Sequence, residues 1–386
     1  MMTKKNHVYS DLRYADQMGW NVEDVDTYTG VDRIGLLVPE RDMFVDRGSN
    51  GLRISRQHNG KCFESGYVGG IYVKRMPRNF ASLNYTLSFS LSRILNGINL
   101  SSNTPIDYDL LTSEINSRIA LGGLCVKDWS FVQVCMMEVN RNLILNDDYS
   151  TYRRLLSICD YPRANKKSYK DSVYFQTKAN TVKTIVYDKG KEMQRKMRQL
   201  PQKTILRFEI RYAKTKLLAD QFAKYASGFR NFSKRDQKPY LKYLSLFDFD
   251  QYYTDKTKDF MEPFLEFSNL VRPLDLRSGL ISHYSNNRYP DKDADIAIDL
   301  LSAWKTGRIS QFIERQQDRI IKPSSRSASS PTRRKEIDKQ AKKFLCEAVI
   351  MDEIVNHGFK RIDELKRGLL KSRPNLGSII NPNQAA

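Results

Sequence analysis

A series of short apolar or alternating runs fills the sequence between residues 31 and 212. Each run has about the length of a β-strand, and alternation places successive side chains on opposite faces of a sheet. The runs lie at residues 34–38, 69–74, 87–91, 131–136, 172–176, 183–187 and 205–212. Between them, apolar residues recur at helical spacing, at 107–120 and 150–158. The pattern predicts an α+β fold, in which helices cover a mainly antiparallel sheet of at least six strands.

The C-terminal part of the sequence has a different pattern. Helical spacing dominates after residue 225, and a Ser- and Pro-rich stretch follows at 322–333. Beyond it, a helical stripe of apolar residues continues to His357, and Gly358 is placed to end that helix. We therefore predict a sheet domain at 1–225, a helical domain at 226–321, a linker at 322–333, and a helical segment with a disordered tail at 334–386.

The charge of the chain predicts a polyanionic partner. Lys and Arg number 64 against 44 Asp and Glu, which gives a net charge of +20. Nucleic acid, an anionic membrane surface and acidic proteins would all satisfy this charge. The 21 Tyr and 18 Phe favour nucleic acid, because aromatic rings stack on unpaired bases. No apolar run is long enough to cross a membrane and no signal peptide begins the sequence, so we expect a cytoplasmic protein without a membrane partner.

Motifs of other enzyme classes are missing from the sequence. It contains no P-loop, no Rossmann glycine fingerprint and no kinase motif set, which argues against an ATP-driven motor or a cofactor-bound redox enzyme. The five cysteines and four histidines show no zinc-ligand spacing. A metal ion in this chain must therefore depend mainly on carboxylates.

Tyr187 is the first candidate for chemistry. It closes a short strand just before a polar turn that contains Gly190, and Lys189 and Lys191 follow it. A tyrosine can attack phosphorus if a base takes its proton and cations match the developing charge, which the two lysines could do. The alternative is that Tyr187 is an ordinary strand residue whose hydroxyl caps the edge of the sheet.

Carboxylates on two strands are candidates for a metal ion or a base. At 206–212 the polar face of the alternation carries Glu209 between Arg207 and Arg211, although a solvated sheet face would give the same pattern. Glu138 ends a run that is apolar on both faces, so its carboxylate needs a partner. Mg²⁺ or Mn²⁺ would supply that partner, and a salt bridge to Arg141 or Arg207 is the alternative.

Several local motifs, taken in order, resemble one family. They are the strand and Gly-x-Asn turn at 87–100, the Asp-bearing helix at 106–120, the strand with Glu138 at 129–142, the Tyr-x-Lys-x-x-Glu segment at 185–192, the Arg-x-Glu strand at 206–211, and a weaker match at 303–307. Together they resemble the replication initiators of filamentous phages, of the gene II type, and of rolling-circle plasmids. The resemblance covers roughly residues 30 to 320.

The resemblance implies a Rep-like, HUH-like nuclease domain and a particular reaction. Tyr187 would attack a phosphodiester in a metal-dependent transesterification, leaving a 5′-phosphotyrosine and a free 3′-hydroxyl, with Lys189 assisting at the phosphate. Mg²⁺ or Mn²⁺ would be held by Glu138 and Glu209. The wider superfamily uses paired histidines that this chain lacks, and His58 is the candidate third ligand.

The partners implied are single-stranded and supercoiled origin DNA, together with a host polymerase and helicase in a bacterial cytoplasm. The candidate DNA-binding residues are Lys183, Lys191, Arg207 and Arg211. Two other functions remain open from the sequence. One is a non-catalytic DNA-binding regulator of a phage or plasmid, for which charge and aromatic residues would suffice. The other is a mobilisation relaxase, which uses similar chemistry for transfer.

Overall fold

The computed structural model describes residues 29–46, 52–56, 62–75, 84–96, 106–159, 164–179, 181–197, 203–233, 237–265, 267, 272–286, 292–315 and 330–370. These residues divide into two compact units. Unit 1 takes the described residues up to Asn146 and those between Arg163 and Lys256, and unit 2 takes those of Asp147–Pro162 and Thr257–Leu370.

Unit 1 is built on a large antiparallel sheet. The described strands of unit 1 are β1 (Gly30–Pro39), β2 (Met43–Val45), β3 (Arg53–Arg56), β4 (Cys62–Val68), β5 (Ile71–Arg75), β6 (Asn84–Ser90), β7 (Leu124–Val126), β8 (Gln133–Leu145), β9 (Ala164–Tyr169), β10 (Ser172–Thr177), β11 (Val182–Asp188) and β12 (Thr204–Tyr212). Ten of them form one sheet in the order β3-β4-β5-β6-β1-β8-β12-β11-β10-β9, and β2 pairs with β7. Every neighbouring pair is antiparallel. The predicted α+β fold with a mainly antiparallel sheet is confirmed.

The ten-stranded sheet contains the same strand arrangement twice. Read outward from the centre, the first half runs β1-β6-β5-β4-β3 and the second half runs β8-β12-β11-β10-β9. In each half, the strand that comes first along the chain pairs with the strand that comes last. The remaining strands of that half then follow across the sheet in reverse chain order. The two halves meet where β1 pairs with β8. The site described below lies around this central pair.

Alternation along β12 gives the sheet two different faces. Phe208 and Tyr212 project from the apolar face, where their rings meet Tyr253 and Tyr252 with centroids 5.7 and 6.0 Å apart. Arg207, Glu209 and Arg211 project from the opposite face, which we call the polar face. Arg207 and Glu209 are also buried, so the polar face is not the solvated surface that the alternation alone would allow.

Helices complete unit 1. They are α1 (Leu91–Asn96), α2 (Tyr108–Ala120), α4 (Lys189–Met197), α5 (Thr215–Tyr225) and the start of α6 (Phe249–Leu265). The predicted domain boundary near residue 225 differs from the division in the structure, which falls between Lys256 and Thr257. The physical reason is that single β-bridges join Ala226 to Phe247 and Tyr240 to Gln133, which ties the segment after α5 to the sheet.

Unit 2 is helical in its described part. It contains α3 (Tyr149–Ile158), the end of α6, α7 (Leu276–Asn286), α8 (Lys292–Lys305), α9 (Ile309–Arg315), α10 (Ser330–His357) and α11 (Lys360–Leu370). α10 packs against α3, α7, α8 and α9 through a buried stripe that includes Phe344 and Val349. The sequence prediction placed α3 in the sheet domain, but α3 belongs to unit 2 because it packs against α10.

The ends of α10 compare with the sequence as follows. Gly358 has φ of +67°, and its N–H donates to the Ile354 carbonyl at 2.8 Å, which is the helix end that the sequence predicts. α10 begins at Ser330, so residues 330–333 of the predicted linker are helical. The rest of that linker and the tail after residue 370 lie outside the described residues.

In the part of the chain that the structure describes, no helix is both long and apolar enough to span a membrane.

Candidate active site

Cross-strand pairing gathers polar side chains on one face at the centre of the sheet. Directly paired residues of antiparallel strands project from the same face, so the partners of Arg207, Glu209 and Arg211 share the polar face with them. On β8 these partners are Asn142, Asn140 and Glu138, and on β11 they are Tyr187, Ile185 and Lys183. The candidate residues that the sequence predicts on three separate strands therefore lie side by side.

Asp32 on β1 joins this group, although no sequence motif pointed to it. Pairing between β1 and β8 shifts in register between Val31 and Arg33, which is a bulge that redirects the side chain between them. Asp32 accepts a hydrogen bond from the Ser90 hydroxyl at 3.0 Å and another from Arg207 Nη1 at 3.0 Å. A bulge cannot be read from residue spacing, so alternation alone could not place Asp32 on the polar face.

Asp32, Glu138 and Glu209 form a buried carboxylate cluster. Each is at most 6% exposed, and each offers an oxygen within 4.8 Å of the oxygens of the other two. Burial of three carboxylates without compensation would be very costly, because the charged form strongly prefers water. Neighbouring cations supply part of the compensation.

Two arginines neutralise part of the cluster. Arg211 Nε donates to Glu138 at 2.6 Å, whereas the sequence suggested Arg141 or Arg207 as the partner of Glu138. Arg141 projects from the apolar face, where it meets Thr29 and the ring of Tyr253. Arg207 lies 3.0 Å from Asp32 and 3.8 Å from Glu209.

Glu209 is the member of the cluster whose carboxyl group is most strongly shifted toward its protonated form. Burial and the neighbouring Glu138 carboxylate raise the pKa of Glu209 well above its ordinary value. Binding of a divalent cation would favour the ionised form of Glu209, because a carboxylate must be ionised to bind a metal.

Tyr187 is in direct contact with the cluster. Its hydroxyl donates a hydrogen bond to Glu209 Oε1 at 2.7 Å. Burial of the hydroxyl and the nearby Glu209 carboxylate raise the pKa of Tyr187 well above its ordinary value. The residue as a whole is nevertheless half-buried, so it does not sit inside a closed core. The phenol thus has a base beside it, which a nucleophilic tyrosine needs.

Lys189 lies at the start of α4, next to Tyr187. It is 4% exposed, pairs with Glu192 at 2.9 Å, and its Nζ lies 6.0 Å from the centroid of the Tyr187 ring. Burial and the Arg207 guanidinium lower the pKa of Lys189 to about 8. Lys189 can therefore gain or lose a proton within a pH unit or so of neutrality.

The donor set of the cluster fits a hard divalent cation. Mg²⁺ and Mn²⁺ prefer carboxylate oxygens, and Asp32, Glu138 and Glu209 present three of them together. Asp32 is a further candidate ligand beside Glu138 and Glu209, and the role of His58 stays a prediction. His58 itself lies outside the described residues.

The predicted DNA-binding residues occupy different environments. Lys183 lies on the polar face beside Arg211, whereas Lys191 is exposed at the start of α4 and pairs with Asp171 at 3.0 Å. Arg207 is 1% exposed and held by Asp32 and Asn142, so it belongs to the carboxylate cluster and not to an open surface. The roles of Lys183, Lys191 and Arg211 in DNA binding stay predictions.

Comparisons with known proteins add little to this geometry. No protein-family model matches the chain, and a search of curated proteins gives no match. A solved structure of a rolling circle replication initiator protein from Geobacillus stearothermophilus is similar over 56% of this chain and 93% of that chain. The sequences are 9% identical over the match and the TM-score is 0.27, which is too low to bear on function.

Proposed function

We propose that this chain cleaves single-stranded DNA by transesterification, with Tyr187 as the nucleophile and Glu209 as the base. The observation that supports this most is the hydrogen bond of 2.7 Å from the Tyr187 hydroxyl to a carboxylate of a buried three-acid cluster.

In the proposed step, the Tyr187 oxygen forms a bond to phosphorus and the bond from phosphorus to the 3′ oxygen breaks. The phenolic proton passes to Glu209, and the leaving 3′ oxygen takes a proton from water to become a hydroxyl. The 5′ phosphate remains attached to Tyr187. Glu209 must be ionised to accept the proton, so the step requires the cluster in its deprotonated form.

Asp32, Glu138 and Glu209 would hold Mg²⁺ or Mn²⁺. When bound, such a cation polarises the phosphoryl oxygens and keeps Glu209 ionised. Lys189 adds positive charge beside the Tyr187 ring, where negative charge develops during attack. The net charge of +20 supplies the attraction for a polyanion.

The free 3′-hydroxyl suits the initiation of rolling-circle replication, which is the role that we assign. A mobilisation relaxase would use the same step, and the fate of the cleaved strand separates the two. In replication the 3′ end is extended by a polymerase, whereas in transfer the strand is resealed in a recipient cell.

The proposal is tested by incubating the full chain with circular single-stranded DNA and Mg²⁺ or Mn²⁺. We expect metal-dependent linearisation by the wild type and by the control Tyr108→Phe, and none by Tyr187→Phe, which keeps the ring but lacks the attacking oxygen. Binding without linearisation by the wild type would indicate a non-catalytic DNA-binding regulator. Linearisation by Tyr187→Phe would exclude Tyr187 as the nucleophile.

A further inference from the structure

The polar face continues beyond Tyr187 to the edge of the sheet, and its character changes there. Four side chains occupy this part, which we call the tyrosine platform: Lys167, Tyr169, Tyr174 and Lys183. None of them belongs to the carboxylate cluster. They lie on β9, β10 and β11, with β9 at the edge of the described sheet.

Strand register places the platform on the same face as the nucleophile. Tyr187 pairs with Ser172 of β10, and Ser172 pairs with Tyr169 of β9. In the next row, Ile185 pairs with Tyr174, which pairs with Lys167. Because neighbouring strands are about 4.8 Å apart, Tyr169 lies about 10 Å from Tyr187 across the sheet.

The platform combines aromatic rings with cations. Tyr169 is 53% exposed, and its ring meets that of Tyr174 edge to face with centroids 5.3 Å apart. The Nζ of Lys183 lies 4.5 Å from the centroid of the Tyr174 ring. Tyr174 is half-buried. Accessible rings that are held in place by each other and by cations suit the stacking of unpaired bases.

The charge around the platform favours a polyanion. β9 and β10 contain no acidic residue, and β9 carries Lys166 and Lys167. Burial and the Arg211 guanidinium lower the pKa of Lys183, so this cation would gain from a nearby phosphate. Lysines on an edge strand also oppose pairing with a strand of another protein, which makes a peptide a poorer occupant.

We propose that the tyrosine platform binds the single-stranded DNA next to the scissile phosphate, with unpaired bases stacked on Tyr169 and Tyr174 and phosphates near Lys167 and Lys183. This inference rests on the proposed function, since it is Tyr187 that fixes where the scissile phosphate lies. It adds a substrate-binding subsite about two strands from the nucleophile, on the β9 side of the sheet.

The test measures binding and cleavage separately. Fluorescence anisotropy of the full chain with a labelled oligothymidine in EDTA gives Kd without cleavage. We expect Tyr169→Ala to weaken binding about tenfold, from the loss of one stacked base. Tyr169→Phe should bind within about twofold of wild type, because stacking needs the ring and not the hydroxyl. Tyr108→Ala, a half-buried tyrosine between Asp107 and Asp109, is the matched control and should bind like wild type.

Each failure has a distinct meaning. Unchanged affinity of Tyr169→Ala, or equal losses in Tyr169→Ala and Tyr169→Phe, would overturn the platform. Equally tight binding of duplex and single-stranded DNA would also overturn it, because paired bases cannot stack on the rings. If the wild type never cleaves DNA but Tyr169→Ala still binds tenfold more weakly, the proposed function fails while the platform stands as a DNA-binding site.

Discussion

Glu209→Gln should change how the stability of unit 1 depends on pH. The pKa of Glu209 is raised above its ordinary value of 4.5 in the folded protein, so between these two values the folded state holds a proton that the unfolded state has released. The free energy of unfolding then falls as pH rises, by up to about 1.4 kcal/mol per pH unit for one proton. Below pH 4.5 this loss is absent, because both states are protonated. Glutamine does not titrate, so the variant lacks this slope.

Hydrogen exchange of the β12 peptide measures the effect within unit 1. We would compare wild type and Glu209→Gln in EDTA at about pH 5, 6 and 7, after correction for the intrinsic exchange rate. The window ends there because Lys189, with a pKa of about 8, begins to titrate above it. The difference between the two proteins isolates Glu209 from all other titrating groups. We expect the wild type to lose up to about 1.4 kcal/mol per pH unit relative to the variant.

A metal ion should reverse this trend in the wild type alone. Mg²⁺ or Mn²⁺ replaces the proton, and a concentration of 100 times Kd stabilises the folded state by about 2.7 kcal/mol. Parallel pH dependences of wild type and variant in EDTA would refute the reasoning. They would mean that Glu209 is already ionised in the folded, metal-free protein.

Three further outcomes follow from the same site. At a limiting metal concentration, cleavage should rise with pH because ionisation of Glu209 favours metal binding, and it should fall above about pH 8 as Lys189 loses its proton. Lys189→Met should lower the rate and abolish this fall. Asp32→Asn should reduce metal-dependent cleavage by 10²-fold or more while the affinity for DNA in EDTA stays within about twofold, measured by anisotropy. Affinity for DNA should weaken by about three decades between about 50 and 200 mM salt, and a flat response would contradict nucleic-acid binding.

Much of the sheet could be predicted from the sequence because its central strands are buried on at least one face. β1, β8, β11 and β12 all contain apolar or alternating runs, which is the direct consequence of that burial. β9 was not predicted, because its sequence is Ala-Asn-Lys-Lys-Ser-Tyr and the strand is exposed at the sheet edge. The repeated strand order was not predicted either, since it depends on pairing between distant segments.

The site could be predicted in part for a similar reason. Tyr187 and Glu209 lie on adjacent strands, and local pattern identified both of them, but only register shows that their side chains meet. Asp32 depends on a bulge, and the partner of Glu138 depends on which strand lies beside β8. These are tertiary features that no local spacing encodes.

The covalent adduct tests the central claim most directly. The full chain would be incubated with Mg²⁺ or Mn²⁺ and a random pool of single-stranded oligonucleotides, and the protein-bound DNA would be digested and mapped by mass spectrometry. We predict a 5′-phosphate linked to Tyr187, an intact adduct in Tyr108→Phe, and none in Tyr187→Phe. An adduct on a different tyrosine, or cleavage of the pool without any adduct, would contradict Tyr187 as the nucleophile.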